Sequence, residues 1–382
     1  MRSVSFFKRG SSIVLFLSIL ILIYTDFPIT RLSSFPSPLF SHMRHKSLNG
    51  VQCQDVLKDA VVIADDPQYF GEVQGFIYKG LKELQLSVHL LTRQKAFGIR
   101  EKADRNTSPL PFAPCRNESI VCFWTTPCTQ SPPYDGTYTW DIPSNPVLVN
   151  LEVLDRSKNE NAWFLPCLDD PKISNMVWPR GPTLDYLHGN VDILGPNGLS
   201  LSPNVQYMKL RYYPGIAYHY MAPTESNFTK VYDVLFIGSR SNRRNIILNS
   251  IREIPGMKLR IVQDSIFGQE REEIVRQSRI VINLHYYEKN FETVRLFWLL
   301  SLGAFVITEA DMEINSRVME EYDGTMVFST YGDFVETVKK YLEPEMETER
   351  LKIATKGYEF IRRETPGQVL KPLLESAWEC VF

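Results

Sequence analysis

From residue 231 onward, short apolar runs alternate with amphipathic segments, and this alternation constrains the fold more than any other feature of the chain. The runs VYDVLFIGS, MKLRIVQ, RIVINLHY and AFVIT predict buried strands, and the segments between them have the apolar spacing of helices. Strands separated by helices form a parallel sheet, because each return connection crosses one face of the sheet. We therefore predict a doubly wound α/β unit here.

The first half of the chain shows the same alternation less regularly. Residues 59–92 contain an apolar strand, an amphipathic helix and a second strand, and residues 147–155 and 205–221 predict further strands. Residues 93–146 are expected to be irregular, because seven prolines fall in this segment before Pro146. The fold class is therefore α/β, with two Rossmann-like doubly wound domains that face each other across a cleft.

We predict six segments along the chain. They are a cytosolic tail, a signal anchor, a stem, an N-terminal domain, a C-terminal domain and a last helix that packs back on the body: residues 1–10, 11–25, 26–52, 53–225, 226–365 and 366–382.

The anchor is predicted from an uncharged apolar run between Ile13 and Tyr24, preceded by Arg2, Lys8 and Arg9. Positive charges before such a run keep the N-terminus in the cytosol. We expect a single-pass protein of the Golgi or ER membrane, with the folded part in the lumen. A cleaved signal peptide is the alternative, although no small-residue cleavage site follows the run.

Cysteines and charge limit the compartment and the partners. All six cysteines follow the anchor, which fits disulfide bonds in an oxidising lumen. Cys115, Cys122 and Cys128 are close together in the sequence and predict a loop that is closed by disulfide bonding. A formal net charge of -2 argues against a nucleic-acid partner. Three sequons would permit N-glycosylation, at Asn106, Asn117 and Asn227.

A candidate anion site follows the strand VYDVLFIGS. Gly238 and Ser239 end this strand, and a glycine there lets the backbone approach a phosphate. Arg243 and Arg244 begin the next helix, where cations are unfavourable unless an anion binds. We predict that these four residues hold a diphosphate. A solvated surface pair is the alternative for the two arginines.

The next strand and helix add four candidates. His285, a possible catalytic residue, and Glu288 follow the strand RIVIN, although His285 could equally be an ordinary loop histidine. Glu292 and Arg295 lie three apart on one face of the helix that Gly303 ends, and a buried guanidinium requires a partner. A diphosphate for Arg295 and a ligand hydroxyl for Glu292 are predicted. An ion pair between the two residues, or a purely structural role for Glu292, is the alternative.

The stretches DVLFIGSRSNRRNIILNSI and RLFWLLSLGAFVITE resemble the C-terminal domain of GT-B glycosyltransferases, closest to the group-1-like domain of the spore-maturation type. The resemblance covers residues 231–330. It implies a nucleoside diphosphate sugar on the second domain, a glycan or glycoprotein acceptor on the first, and no metal or other cofactor. Many relatives carry a ribose-binding glutamate where this chain has Trp298, and a second acidic residue near Asn290. Either Glu288 or Glu292 substitutes here, or the donor site differs from that of the relatives.

The resemblance implies a metal-independent glycosyltransferase. An inverting reaction needs a base for the acceptor hydroxyl, and Asp65 or Asp66, after the first strand, is the predicted candidate. A retaining reaction would need no such base. A non-catalytic carbohydrate-binding protein and a luminal sulfotransferase are the alternatives. The sequence contains neither an Asp-x-Asp metal motif nor a Walker-type phosphate loop.

Overall fold

The computed structural model divides the chain into two compact units, residues 1–47 and 48–382, and everything described below lies in the second. The described residues are 52–53, 59–63, 67–91, 115, 117, 120–125, 143–150, 154, 168, 174, 181–202, 204–216, 223, 229–263, 266–286, 291, 293–311 and 315–378. The predicted anchor lies outside these ranges. Among the helices inside them, none combines the length and the apolar character needed to cross a bilayer.

The described residues of the first half form a six-stranded parallel sheet with the spatial order β2-β1-β3-β4-β5-β6. Its strands are β1 (Asp59–Ile63), β2 (Ser87–Leu91), β3 (Ile120–Thr125), β4 (Pro146–Asn150), β5 (Thr183–Asp185) and β6 (Val205–Tyr207). Within the described residues of this half, the two helices with full bounds are α1 (Pro67–Glu83) and α2 (His188–Leu194).

The second half forms a five-stranded parallel sheet with the order β11-β10-β9-β7-β8 in its described part. Its strands are β7 (Tyr232–Ile237), β8 (Leu259–Val262), β9 (Ser278–Asn283), β10 (Val306–Glu309) and β11 (Val327–Ser329). Its helices are α3 (Asn242–Arg252), α4 (Gly268–Arg276), α5 (Thr293–Ser301), α6 (Ser316–Glu321), α7 (Phe334–Leu342), α8 (Glu347–Phe360) and α9 (Pro366–Trp378). The two parallel α/β sheets predicted from the sequence are thus present.

Successive residues of the central strands pack into different apolar clusters, because neighbouring side chains of a strand point to opposite faces of the sheet. In β1, Val62 belongs to a large apolar cluster that contains residues of both halves, whereas Val61 belongs to a smaller cluster on the other face. In β7, Leu235 joins the large cluster and Phe236 joins a third. Burial on both faces explains the continuous apolar runs of these strands.

Two predictions for the first half are wrong. Residues 120–125 form β3, which pairs with both β1 and β4, although the segment 93–146 was expected to be irregular. Cys122 lies in this buried strand rather than in a loop, and its disulfide partner is Cys115, at a Cα–Cα distance of 5.8 Å. The run IVCFWT forms a strand because it lies between two other buried strands. The prolines nearby in the sequence do not prevent this pairing.

The strand predicted over residues 205–221 is also wrong in length, because β6 ends at Tyr207. Beyond it, the backbone N–H of Tyr212 donates to the carbonyl oxygen of Ile361 at 3.0 Å, after the end of α8. The segment therefore satisfies its backbone against the second half instead of extending a sheet edge.

Helix α5 ends as the sequence predicts. Gly303 has a φ of +68°, the left-handed conformation typical of a helix C-terminal stop. A Cβ added there would lie 2.6 Å from Cγ of Pro223, so a side chain would also clash.

The last helix, α9, packs against α1 of the first half. Gly80 of α1 allows the approach, since an added Cβ would lie 2.7 Å from Cδ1 of Leu370 and 2.9 Å from the carbonyl oxygen of Pro366. The carboxylate of Glu83 accepts a hydrogen bond from the backbone N–H of Gly367 at 2.8 Å, in the first turn of α9. Charge and close packing thus fix α9 on α1.

Replacing Gly80 by alanine should destabilise the protein by about 1–3 kcal/mol, because the new methyl group overpacks the contact with α9. Gly71→Ala on the same helix is the matched control, since an added Cβ there meets nothing within 4 Å. It should be neutral or stabilising by up to about 1 kcal/mol through helix propensity. Urea unfolding followed by circular dichroism measures both, and equal midpoints for the two variants would contradict the packing.

Candidate functional site

The order of the second sheet locates a crevice. Strands β7 and β9 are neighbours in the middle of this sheet. The connection that leaves β7 leads to β8 on one side, and the connection that leaves β9 leads to β10 on the other side. Ligands of open α/β sheets bind at such a switch point, outside the carboxyl ends of the strands. Gly238 and Ser239 follow β7 at this edge, and His285 follows β9.

Gly238 is where two guanidinium groups converge. Its φ of +142° is a conformation that glycine adopts without strain. A Cβ at this position would lie 3.0 Å from Nη2 of Arg295 and 3.6 Å from Nη1 of Arg244. The structure therefore brings together three of the residues predicted to hold a diphosphate, and it does so at the switch point.

Arg295 is oriented from the sheet side. It is half-buried in α5, and its Nη1 donates to Oδ1 of Asn283, the last residue of β9, at 2.7 Å. Nδ2 of Asn283 in turn donates to Oγ1 of Thr308 at 3.0 Å, which fixes the amide. Glu292, the alternative partner of Arg295, lies outside the described residues, so that ion pair stays a prediction.

Arg244 is buried, which rules out the solvated surface residue that was one of its two interpretations. Its Nε donates to the carbonyl oxygen of Leu284 at 2.9 Å, and its Nη1 donates to that of Ser239 at 2.8 Å. The guanidinium thus connects the segment after β9 to the segment after β7. Its backbone N–H donates to Oγ of Ser241 at 3.2 Å, so Ser241 is the N-cap of α3.

Arg243 is held by Glu309, a residue that the sequence analysis did not assign to the site. Both terminal nitrogens of Arg243 bond the carboxylate of Glu309, Nη1 at 2.6 Å. The guanidinium lies 4.1 Å from the ring centre of Tyr331, whose hydroxyl donates to the carbonyl oxygen of Arg243 at 2.8 Å. This side chain is therefore paired inside the protein, and its direct contact with a ligand stays a prediction.

His285 is buried beside the same carboxylate. Its backbone N–H donates to Glu309 at 3.2 Å, and its carbonyl oxygen accepts from Nη1 of Arg243 at 3.3 Å. Its ring makes an edge contact with Phe291 at 5.4 Å. A catalytic role for His285 stays a prediction, and this burial disfavours it. The other candidates, Asp65, Asp66, Glu288 and Glu292, lie outside the described residues.

Three basic side chains gather where the strands end. They are Arg243, Arg244 and Arg295, and Arg243 is paired with the carboxylate of Glu309. The N-terminus of α3, capped by Ser241, adds the partial positive charge of its free N–H groups. Arginine and helix N–H groups together bind phosphate well. In the described ranges, His, Cys, Asp and Glu side chains form no group of three that could hold a metal ion.

Comparison with known proteins agrees with this geometry. A family model described as glycosyl transferase-like matches residues 243–374. An uncharacterized protein of Acanthamoeba polyphaga mimivirus, L140, is 26% identical over 117 residues, and the match spans 30% of this chain and 37% of that protein. The chain thus aligns with about a third of the length of this relative.

One solved structure shows the fold. Sucrose-phosphate synthase from Thermosynechococcus elongatus superposes with a TM-score of 0.51 and 10% identity, over 84% of this chain and 97% of that chain. WaaG, a glycosyltransferase involved in lipopolysaccharide biosynthesis, gives a TM-score of 0.48 and 12% identity, over 84% of this chain and 99% of that chain. The chain has the GT-B fold.

The N-terminal half of this GT-B fold holds a buried carboxyl group that the sequence analysis missed. Asp185, the last residue of β5, accepts hydrogen bonds from Nδ2 of Asn150 at 2.7 Å, the backbone N–H of Leu187 at 2.8 Å and Nδ2 of Asn190 at 3.2 Å. Burial raises the pKa of Asp185 from 3.8 to about 8, and these three hydrogen bonds oppose the rise only in part. A polar residue that closes an apolar run was the available signal, but the run TLD is too short to be recognised.

Asp185 shapes the turn through which the N-terminal half contacts the second half. The next residue, Tyr186, accepts a hydrogen bond through its carbonyl oxygen from Oγ1 of Thr293 at 3.2 Å. Thr293 is the first residue of α5, the helix that carries Arg295. The carboxyl edges of both sheets therefore meet beside the candidate site.

Asp185 should make the protein less stable as the pH rises. The folded state keeps the proton up to about pH 8, whereas the unfolded chain loses it near pH 3.8. Between these two pH values the folded state therefore binds more protons than the unfolded chain. The free energy of unfolding falls over the same pH range, by roughly a few kcal/mol. Asp185→Asn should flatten this slope in urea titrations between about pH 4 and pH 8.

Asp192→Asn on α2 is the control for this titration, because the Asp192 side chain is 68% exposed. It should keep the wild-type slope. An Asp185→Asn variant whose stability still falls steeply with pH would show that other groups are responsible.

Proposed function

We propose that this protein is a metal-independent glycosyltransferase that moves a sugar from a nucleoside diphosphate sugar to a glycan or glycoprotein acceptor in the secretory pathway. The observation that carries the proposal is the convergence of Arg244 and Arg295 on the backbone of Gly238 at the switch point of the second sheet. The match of residues 243–374 to a glycosyl transferase-like family supports it.

The donor's diphosphate would lie against Gly238 and Ser239, with Arg295 and the N-terminus of α3 around it. Charge builds up on the diphosphate as the bond to the sugar breaks, and guanidinium groups fixed in advance stabilise that charge. Asn283 fixes Arg295 before any ligand arrives, so little reorganisation is required. These cations supply what a metal ion would otherwise supply, so the mechanism needs none.

The acceptor would bind to the first half. Asp65 and Asp66 follow the end of β1, which neighbours β2 and β3 at the switch point of the first sheet. In an inverting reaction, one of these carboxylates would take the proton of the acceptor hydroxyl. The apolar run in residues 11–25 would hold the protein in the Golgi or ER membrane, and the Cys115–Cys122 disulfide fits a luminal location.

Arg295→Gln should weaken the binding of the preferred donor about 10- to 100-fold, because a charged hydrogen-bond donor to the diphosphate is lost. The donor is first chosen by thermal shift from UDP-, GDP- and CMP-sugars, and isothermal titration then measures the Kd. Arg252→Gln is the control, since Arg252 is an exposed residue of the last turn of α3.

Wild-type affinity in Arg295→Gln would contradict the assignment of Arg295 to the donor. Binding of a sugar without any turnover would favour the carbohydrate-binding alternative, and the absence of binding by all three donor classes would contradict the proposal itself.

Replacing both Asp65 and Asp66 by asparagine should lower kcat for transfer about 10²- to 10⁴-fold if one of them is the base, with the donor Kd unchanged. Each single variant then identifies which carboxylate acts. Full activity in the double variant would favour a retaining reaction or a different base.

A further inference from the structure

An ion pair connects the two halves close to the candidate site. Arg271 of α4 pairs through Nη2 with Oε1 of Glu72 in α1, and the two side chains are only 16% and 18% exposed. Helix α1 follows Asp65 and Asp66 directly in the chain. This ion pair therefore connects α1, the helix that follows the predicted acceptor-side carboxylates in the chain, to the second half, which carries the donor-side arginines.

The same guanidinium stacks on a buried tryptophan. It lies 3.9 Å from the ring centre of Trp298, which is on α5 three residues after Arg295. Residues three apart on a helix are neighbours on one face, so Trp298 adjoins Arg295 along the helix. Arg271 thus contacts the acceptor-side helix α1 and the donor-side helix α5 at the same time.

The position of the Arg271 side chain depends on its contacts with Glu72 and Trp298. Its Nε is buried, and none of the described residues accepts a hydrogen bond from it. The guanidinium is therefore held by the carboxylate of Glu72 and by the face of Trp298, where a cation is attracted to the indole ring, with the ring centre of Phe267 further away at 5.6 Å. A guanidinium in this position is strongly disfavoured without its carboxylate, because it would be buried and uncompensated. The pair favours the arrangement in which α1 lies against the second half.

We propose that Arg271 is a positioning residue that holds α1 against α5, so that the first half and the helix that carries Arg295 keep the separation that sugar transfer requires. The proposal rests on the proposed glycosyl transfer. It differs from a donor-binding role, because Arg271 acts through Glu72 and Trp298 and not through the diphosphate. A misplacement of about 1 Å between reacting groups is enough to cost about 100-fold in rate.

The test compares Glu72→Gln, Arg271→Gln and the double variant. Each should lower kcat for transfer about 10- to 100-fold while the Kd for the donor nucleoside diphosphate changes less than about threefold. The double variant should be no worse than either single variant, because both remove the same contact. Arg271→Lys, which keeps the charge and loses the flat stack, should retain an intermediate kcat.

The ion pair Arg317–Asp192 is the matched control. It also spans the two halves, at 3.8 Å, but its side chains are 72% and 68% exposed. Arg317→Gln and Asp192→Asn should leave kcat and Kd unchanged, because water screens an exposed pair.

Hydrogen exchange without substrate gives a readout that does not depend on turnover. Amides of α1 and α5 should exchange faster in Arg271→Gln than in the wild type, and Arg317→Gln should match the wild type. If the wild type transfers no sugar, the proposed function fails, and exchange still decides whether Arg271 holds α1.

Three results would overturn the positioning role. They are an unchanged kcat in Arg271→Gln, a loss of donor affinity as large as the loss of kcat, and equal exchange of α1 in the variant and the wild type.

Discussion

The carboxyl edge of the second sheet depends on one buried guanidinium. Arg244 donates to the carbonyl oxygens of Leu284 and Ser239 and so joins the segments after β9 and β7. These two bonds fix the orientation of the guanidinium, because each of them uses a different N–H group of its planar fork. Gly238 passes beside Arg244 and Arg295 because glycine adopts its φ of +142° and leaves room for their nitrogens. The crevice is shaped before any ligand arrives.

The two halves are packed together more closely than two domains joined by a linker would be. One apolar cluster contains residues of both sheets, including Val62 and Leu235. Arg211 of the first half pairs with Glu321 at 3.3 Å and with Glu364 at 3.1 Å, both in the second half. Apolar packing and ion pairs of this kind restrict the relative motion of the two halves.

The fold was predictable where burial leaves a regular pattern. Strands buried on both faces read as continuous apolar runs, which is why β7, β9 and β10 were recognised. The strand β3 was missed, since its six residues stand among prolines and its partners β1 and β4 are distant in the chain. The length of β6 could not be read from the sequence, because Tyr212 bonds Ile361 of the other half.

The residues of the candidate site also divide into those that a local sequence pattern indicates and those that depend on contacts between distant segments. Gly238, Arg244 and Arg295 were predicted to lie together, because strand ends and helix starts can be located in the sequence, and the structure does bring them together. Glu309 and Asp185 were not predicted, since their partners Arg243 and Asn150 come close only in the folded chain. Burial and pairing of a polar side chain depend on contacts between distant segments, which no local pattern records.

The packing of α9 on α1 has a consequence for biosynthesis. Leu370 and Pro366, which cover Gly80, lie far after it in the chain. Domains usually fold one after another during synthesis, the N-terminal one first. Here the N-terminal half cannot complete the packing of α1 until α9 has been synthesised, so the face of α1 around Gly80 stays uncovered until then.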